Sequence, residues 1–124
     1  MNILFVCSRN RWRSPTAEKV WRSALPGKVR SAGTSPKAKH QISASDVKWA
    51  DVVFVMEPKH KQRLQAEFRQ LLNYKRIDVL NIPDEYQFMD PELVEIFEEL
   101  LEMFLEELLE MFLNDGFAEE IISP

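Results

Sequence analysis

The chain has one cysteine, Cys7, at the head of the run Cys7-Ser8-Arg9-Asn10-Arg11-Trp12-Arg13-Ser14-Pro15. A thiol there follows a short apolar segment and precedes a Ser-Pro pair, the residues favoured at a helix start. Successive backbone N–H groups in such a loop form a nest for an oxyanion, and the helix dipole adds to it. The same field favours a thiolate, the nucleophilic form of cysteine. Arg13 stands six residues on, and its planar guanidinium can grip two oxygens of a phosphate. Ser14 can donate a hydrogen bond to the sulfur. Asn10 tolerates a left-handed turn and can pin the loop with its amide. Ser8, Arg9, Asn10, Arg11, Trp12, Arg13 and Ser14 are therefore the candidate phosphate-binding residues. A Cys-x5-Arg spacing alone is a weak signal, and a lone cysteine is often a small buried hydrophobe. The placement between a buried strand and a helix start is what raises it.

The surrounding elements must hold this loop. Asn2 to Val6 reads as a buried parallel strand. Ser14-Pro15 opens a helix that continues through Leu25 and is stopped by Pro26-Gly27. Val29 to Ala32 is a second strand, and Gly33 to Lys39 a loop. Ser45-Asp46 is expected to cap a short helix through Trp49. Val52 to Met56 is a third strand, Pro58 to Leu72 a helix, and Ile77 to Ile82 a fourth strand. Alternating strands and helices imply a parallel sheet with helices on both faces. The expected fold is an α/β three-layer sandwich around a central four-stranded parallel sheet, one domain over residues 1–124, with a long C-terminal helix. Ligands of such sheets sit at the carboxyl ends of the strands, where the Cys7 loop lies.

The composition agrees with a single domain: 124 residues, 45% hydrophobic and 29% charged. One cysteine excludes an intrachain disulfide, and with only two histidines, His40 and His60, a metal site has little support. The N-terminal apolar run is too short for a signal peptide and no stretch is apolar enough for a membrane span, so a soluble cytoplasmic protein is expected. The net charge of −4 is unevenly spread. All 16 Lys and Arg fall within residues 1–76 with only 5 acids, giving +11, whereas residues 77–124 carry 15 acids and no Lys or Arg. The basic part suits an anionic substrate, or an acidic tail laid against it. Lys37, Lys39 and His40 can join Arg9 and Arg11 in framing the loop with positive charge, although for the lysines simple surface solvation is the more common role.

The loop resembles that of the low-molecular-weight protein tyrosine phosphatases, which reads Cys-x-Gly-Asn-x-Cys-Arg-Ser-Pro after the first strand. Cys7, Asn10, Arg13, Ser14 and Pro15 match in place. Ser31-Ala32-Gly33-Thr34 is similar to the family's segment after the second strand, and Val52 to Glu57 to its third strand. Ile82-Pro83-Asp84 sits where the family keeps its general acid. Three residues depart from the pattern. Arg9 replaces glycine, Trp12 replaces the second loop cysteine, and Asp84-Glu85-Tyr86 replaces Asp-Pro-Tyr. The resemblance implies phosphomonoester hydrolysis through a phosphocysteine. Cys7 is then the nucleophile, Arg13 the phosphoryl clamp and Asp84 the general acid, with no metal or cofactor required. Asp90-Pro91 is assigned to the cap of the long helix, with Asp90 as reserve acid. Trp12 and Tyr86 can wall the substrate pocket or simply pack. The implied partner is a phosphorylated substrate, phosphotyrosine-bearing by the resemblance; nucleic acid and membranes are not expected. An arsenate reductase using an external thiol, a phosphocarrier domain and a non-catalytic phosphate-binding scaffold are the rivals.

Beyond Asp90 the sequence is acidic and amphipathic. Glu98–Leu105 reads EELLEMFL and is repeated identically at Glu106–Leu113. A helix from Pro91 to Leu113 is about 35 Å long, as wide as the domain itself. Leu93, Phe97, Leu100, Phe104, Leu108 and Met111 form one stripe; Val94, Leu101, Leu105 and Phe112 form a second. The apolar arc is wider than one core contact needs. The second stripe is expected to pack against another copy of the chain or under the tail, through Phe117, Ile121 and Ile122.

Overall fold

A computed structural model describes residues 1–114. The order is β1 (Ile3–Cys7), α1 (Arg13–Arg22), β2 (Val29–Gly33), α2 (Ala44–Trp49), β3 (Val52–Val55), α3 (Pro58–Phe68), β4 (Arg76–Val79) and α4 (Pro91–Asn114). The four strands form one parallel sheet in the order β2-β1-β3-β4. The strand period sorts the core into two halves. Ile3, Phe5 and Cys7 of β1 face α1 and α4, joining Trp21, Phe54, Leu93, Phe97 and Phe104. Leu4 and Val6 face the other way, toward Val47 of α2 and Leu64 of α3. This is the expected three-layer α/β sandwich.

Aromatic contacts dominate the α1/α4 side. The Phe5 ring meets Trp21 edge-on at 4.8 Å and stacks on Phe54 at 5.4 Å. Trp21 also lies 5.2 Å from Phe104, and its indole N–H donates to the Phe97 carbonyl at 2.9 Å, so the polar edge of a buried ring is satisfied. On the edge strand β4, Arg76 binds Asp78 and Glu107 at 2.7 and 2.6 Å. Hydrogen bonds to those two carboxylates hold its guanidinium above its already high ordinary pKa. Arg76–Glu107 is an ion pair between the basic part of the chain and the acidic helix.

Several boundaries differ from the sequence reading. The first helix starts at Arg13 and ends at Arg22, short of Leu25, and Ser14 lies inside it rather than at the cap. The cap of α2 is Ser43, not Ser45: its hydroxyl accepts from Asp46 N while the Asp46 carboxylate accepts from Ser43 N. The third helix stops at Phe68, and the chain turns through Tyr74 at φ 68°. The fourth strand ends at Val79. Leu80 and Ile82 still donate to Val55 and Met56, but Asn81 at φ 57° turns the chain out of the ladder.

In α4, Leu93, Phe97 and Phe104 are buried, and Leu100 and Leu108 half-buried, as the first stripe requires. Met111 is exposed, unlike its place in that stripe, because the core ends before the last helical turns. Met103, Leu105, Leu109 and Leu113 are exposed as well. Phe117, Ile121 and Ile122 lie outside the described residues. Among the described residues no helix is long and apolar enough to cross a membrane.

Candidate active site

The carboxyl end of β1 delivers Cys7 to a loop of residues 8–12 that runs directly into α1. A second loop straps it from outside. Thr34 N donates to Cys7 O at 3.0 Å, Ser35 N to Ser8 O at 2.9 Å, and Lys39 N to Arg9 O at 3.0 Å. The loop's carbonyls are thus committed outward. None of the N–H groups of Ser8 to Arg13 donates to another backbone group among the described residues. That is the donor arrangement of an oxyanion nest. The close strap depends on Gly33: a Cβ there would come within 2.6 Å of both the Ser8 carbonyl oxygen and Ala38 Cβ.

Side chains fix the loop from within. Asn10 takes φ 54°, and its amide donates to Ser14 Oγ and Ser31 Oγ, both at 2.9 Å. Ser31 in turn donates to Glu18 at 2.5 Å. Ser14 Oγ lies 2.9 Å from the Cys7 sulfur. Because Ser14 Oγ accepts from Asn10, its own proton is free for the sulfur or for Ala32 O at 3.3 Å.

Arg13 is only 2% exposed, so its charge must be paired. Its Nη1 donates to Glu57 Oε1 at 2.5 Å and to Ile82 O at 2.8 Å, and its Nε lies 3.6 Å from Asp84 Oδ1. Burial pushes the Glu57 carboxyl up, but the hydrogen bond and charge of Arg13 outweigh it and hold it below the ordinary carboxylate range. Glu57 and His60 form a reciprocal cap at the start of α3. Glu57 N donates to His60 Nδ1 at 3.0 Å, which leaves the proton on Nε2, 2.8 Å from Ser8 Oγ. Burial, then the nearby Arg13 charge, pushes the His60 pKa down to about 4. A neutral His60 therefore donates to Ser8, and the first turn of α3 holds the loop at both ends.

Cys7, Ser8, Arg9, Arg11, Trp12, Arg13 and Asp84 line one cleft of about 200 Å³. Cys7 is buried at its floor, whereas Arg9, Arg11, Trp12 and Asp84 are exposed at the rim. Asn10 and Ser14 lie behind the loop, in its buried hydrogen-bond network. Tyr86 packs against the α1/α4 core and does not line the cleft. Asp90 also stands apart from it. Its carboxylate accepts from Glu92 N at 3.0 Å and its carbonyl from Val94 N at 2.9 Å, capping α4. Lys39 and His40 line a separate groove behind the loop with Asn10 and Ser31, where His40 binds Asp46. Glu57, His60 and Glu18 took no part in the site read from the sequence. The one local signal was Glu57-Pro58 with a side-chain acceptor three residues into a helix. Among the described residues no three His, Cys, Asp or Glu side chains are grouped to hold a metal.

Residues 2–42 match the family model described as low molecular weight phosphotyrosine protein phosphatase. No curated protein sequence matches the chain. Solved structures share its fold. The Vibrio vulnificus Wzb in complex with benzylphosphonate has a TM-score of 0.70 at 22% identity, over 86% of this chain and 97% of that one. The tyrosine phosphatase Wzb from Escherichia coli K30, in complex with sulphate, gives 0.68 at 21% identity, over 86% and 97%. The YwlE arginine phosphatase from Geobacillus stearothermophilus gives 0.61 at 22% identity, over 94% and 96%. The family suggested by the Cys7 loop is thus the one whose model matches residues 2–42, and the chain has the fold of these bacterial phosphatases.

Proposed function

We propose that the protein is a cysteine-dependent phosphatase that hydrolyses phosphotyrosine on a protein substrate. The observation that carries this is the cleft itself, where a nucleophile, a buried guanidinium and a carboxylate meet beside an oxyanion nest. The Cys7 thiolate attacks phosphorus, forming an S–P bond as the P–O bond to the leaving group breaks. Asp84 gives its proton to the leaving oxygen. Arg13 and the loop N–H groups stabilise the equatorial oxygens. In the second step Asp84 takes a proton from water, water oxygen bonds to phosphorus, and the S–P bond breaks. Ser14, 2.9 Å from the sulfur, eases its departure.

Both tyrosine and arginine phosphatases share this fold. The cleft favours the aryl ester. Its exposed Trp12 offers a face to a ring, and Arg9 and Arg11 at the rim, unpaired among the described residues, repel the guanidinium leaving group of phosphoarginine. A cysteine nucleophile with no second cysteine to shield it suits the reducing cytoplasm.

The test is hydrolysis of para-nitrophenyl phosphate and of phosphotyrosine and phosphoarginine peptides from pH 5 to 8, without added metal. Cys7→Ser is expected to abolish turnover, and Asp84→Ala to lower kcat on phosphotyrosine about 10²-fold or more. Loss on Asp90→Ala with retention on Asp84→Ala moves the acid to Asp90. Phosphate binding without turnover points to the scaffold reading, and arsenate reduction with an added thiol to the reductase.

A further inference from the structure

We infer that the cleft rim, through Arg9 and Arg11, selects phosphotyrosines flanked by acidic side chains; this rests on the phosphatase reading above. The chain has eight arginines. Arg13, Arg22, Arg30, Arg63 and Arg76 are paired with carboxylates. Arg9, Arg11 and Arg69 have no such partner among the described residues. Arg69 lies elsewhere, beside Lys61 and Lys75. Of the guanidiniums without a carboxylate partner among the described residues, the remaining two are both at the mouth of the candidate active site.

Neither is needed to balance the floor of the cleft. Arg13 already has Glu57 within the protein, and the nest supplies the remaining donors for a phosphoryl group. The rim holds one carboxylate, Asp84, against two cations. The Arg9 backbone is held by Lys39 N, so its guanidinium projects from an anchored base rather than from a free loop. The cleft volume of about 200 Å³ is below that of pockets that enclose a whole small ligand. It takes the phosphoryl group and part of a ring, and leaves the rest of the substrate at the rim. A polypeptide that brings carboxylates to that position meets two guanidiniums suited to carboxylate pairing. Arg9 occupies a position where the resembling family has glycine, so this charge is a property of the present chain.

Two peptides carrying the same phosphotyrosine, one with Glu and Asp flanks and one with Gln and Asn, isolate the rim from the phosphoryl chemistry. The acidic peptide is expected to have about tenfold higher kcat/KM at low salt, chiefly through KM, with the ratio approaching one at about 0.5 M NaCl. In Arg9→Gln/Arg11→Gln the ratio is expected to fall within about twofold, whatever happens to the absolute rates. Both side chains are exposed, so the variant retains its fold. A parent ratio within twofold, or a ratio that survives the double substitution, overturns the inference. If neither peptide is turned over, the phosphatase reading fails. The rim is then judged by calorimetric binding of the same peptides to Cys7→Ser, where the same ratio and its loss on substitution are required. Equal binding of the unphosphorylated acidic peptide would mean a general polyanion surface and also overturns it.

Discussion

His60 is 1% exposed, and its two ring nitrogens face a backbone donor and the Ser8 hydroxyl. Its pKa of about 4 has a consequence for stability. The unfolded chain takes up a proton near pH 6.5, whereas the folded one does not until about pH 4. Stability from this group is therefore complete above pH 6.5 and is lost as the pH falls toward 4. Between pH 7 and 5 the loss is expected to be about 2 kcal/mol, at about 1.4 kcal/mol per pH unit. Urea unfolding of the parent and of His60→Gln at both pH values measures it: the variant is expected to be less stable at pH 7 and flatter toward pH 5. A parallel pair of curves would show that His60 takes up its proton at the same pH in the folded and the unfolded chain. The partnership of His60 with Ser8 was not legible in the sequence, because 52 residues separate them and only the pairing of β1 with β3 brings them together. The Ser14 contacts with Cys7 and Asn10 were legible, because all three lie within eight residues, whereas the bond from Asn10 to Ser31 on β2 was not.

Among the elements, the strap of residues 33–40 and the start of α4 give opposite expectations. A Cβ at Gly33 meets backbone at Ser8, which cannot move without moving the nest. Gly33→Ala is expected to lower stability by about 1–3 kcal/mol and to weaken inorganic phosphate binding at least tenfold, read by thermal unfolding and calorimetry. Asp90→Ala removes a cap remote from the cleft. It is expected to cost about 1 kcal/mol and to leave kcat/KM within about threefold. A loss of activity on Asp90→Ala comparable with that on Asp84→Ala would contradict the separation of cap and acid. Buried strands were legible as apolar runs, and the helix starts at Pro58 and Pro91 from proline at the first helical position. The ends of α3 and β4 were not. Tyr74 and Asn81 adopt positive φ, which no apolar period reports. That turn at Asn81 carries Ile82 O and Asp84 to Arg13, so a boundary missed in the sequence is part of the site.

Over the whole molecule, the sheet order explains why the chemistry is where it is. The chain leaves β1 for β2 on one side and returns for β3 on the other, so the carboxyl ends of β1 and β3 border a switch point. Cys7 ends β1, Glu57 comes just after β3, and Asp84 lies after β4. The alternation of strands and helices made a parallel sheet legible, whereas the order of the strands is set by tertiary packing. On one face that packing includes α4. Its Phe104 lies 5.2 and 5.6 Å from the rings of Trp21 and Phe54. Five residues further on, Leu109 is exposed. Phe104→Ala is expected to cost about 3–5 kcal/mol, the range for a large aromatic removed from a core, whereas Leu109→Ala is expected to stay within about 0.5 kcal/mol. Urea unfolding at a single low protein concentration distinguishes them. Since Trp21 joins α1 to α4 and α1 begins at Arg13, Phe104→Ala is also expected to weaken phosphate binding near the midpoint of unfolding, where the loop and the core are lost together. Phosphate retained after the tryptophan signal has changed would instead place the Cys7 loop in a cooperative unit separate from the α1/α4 core.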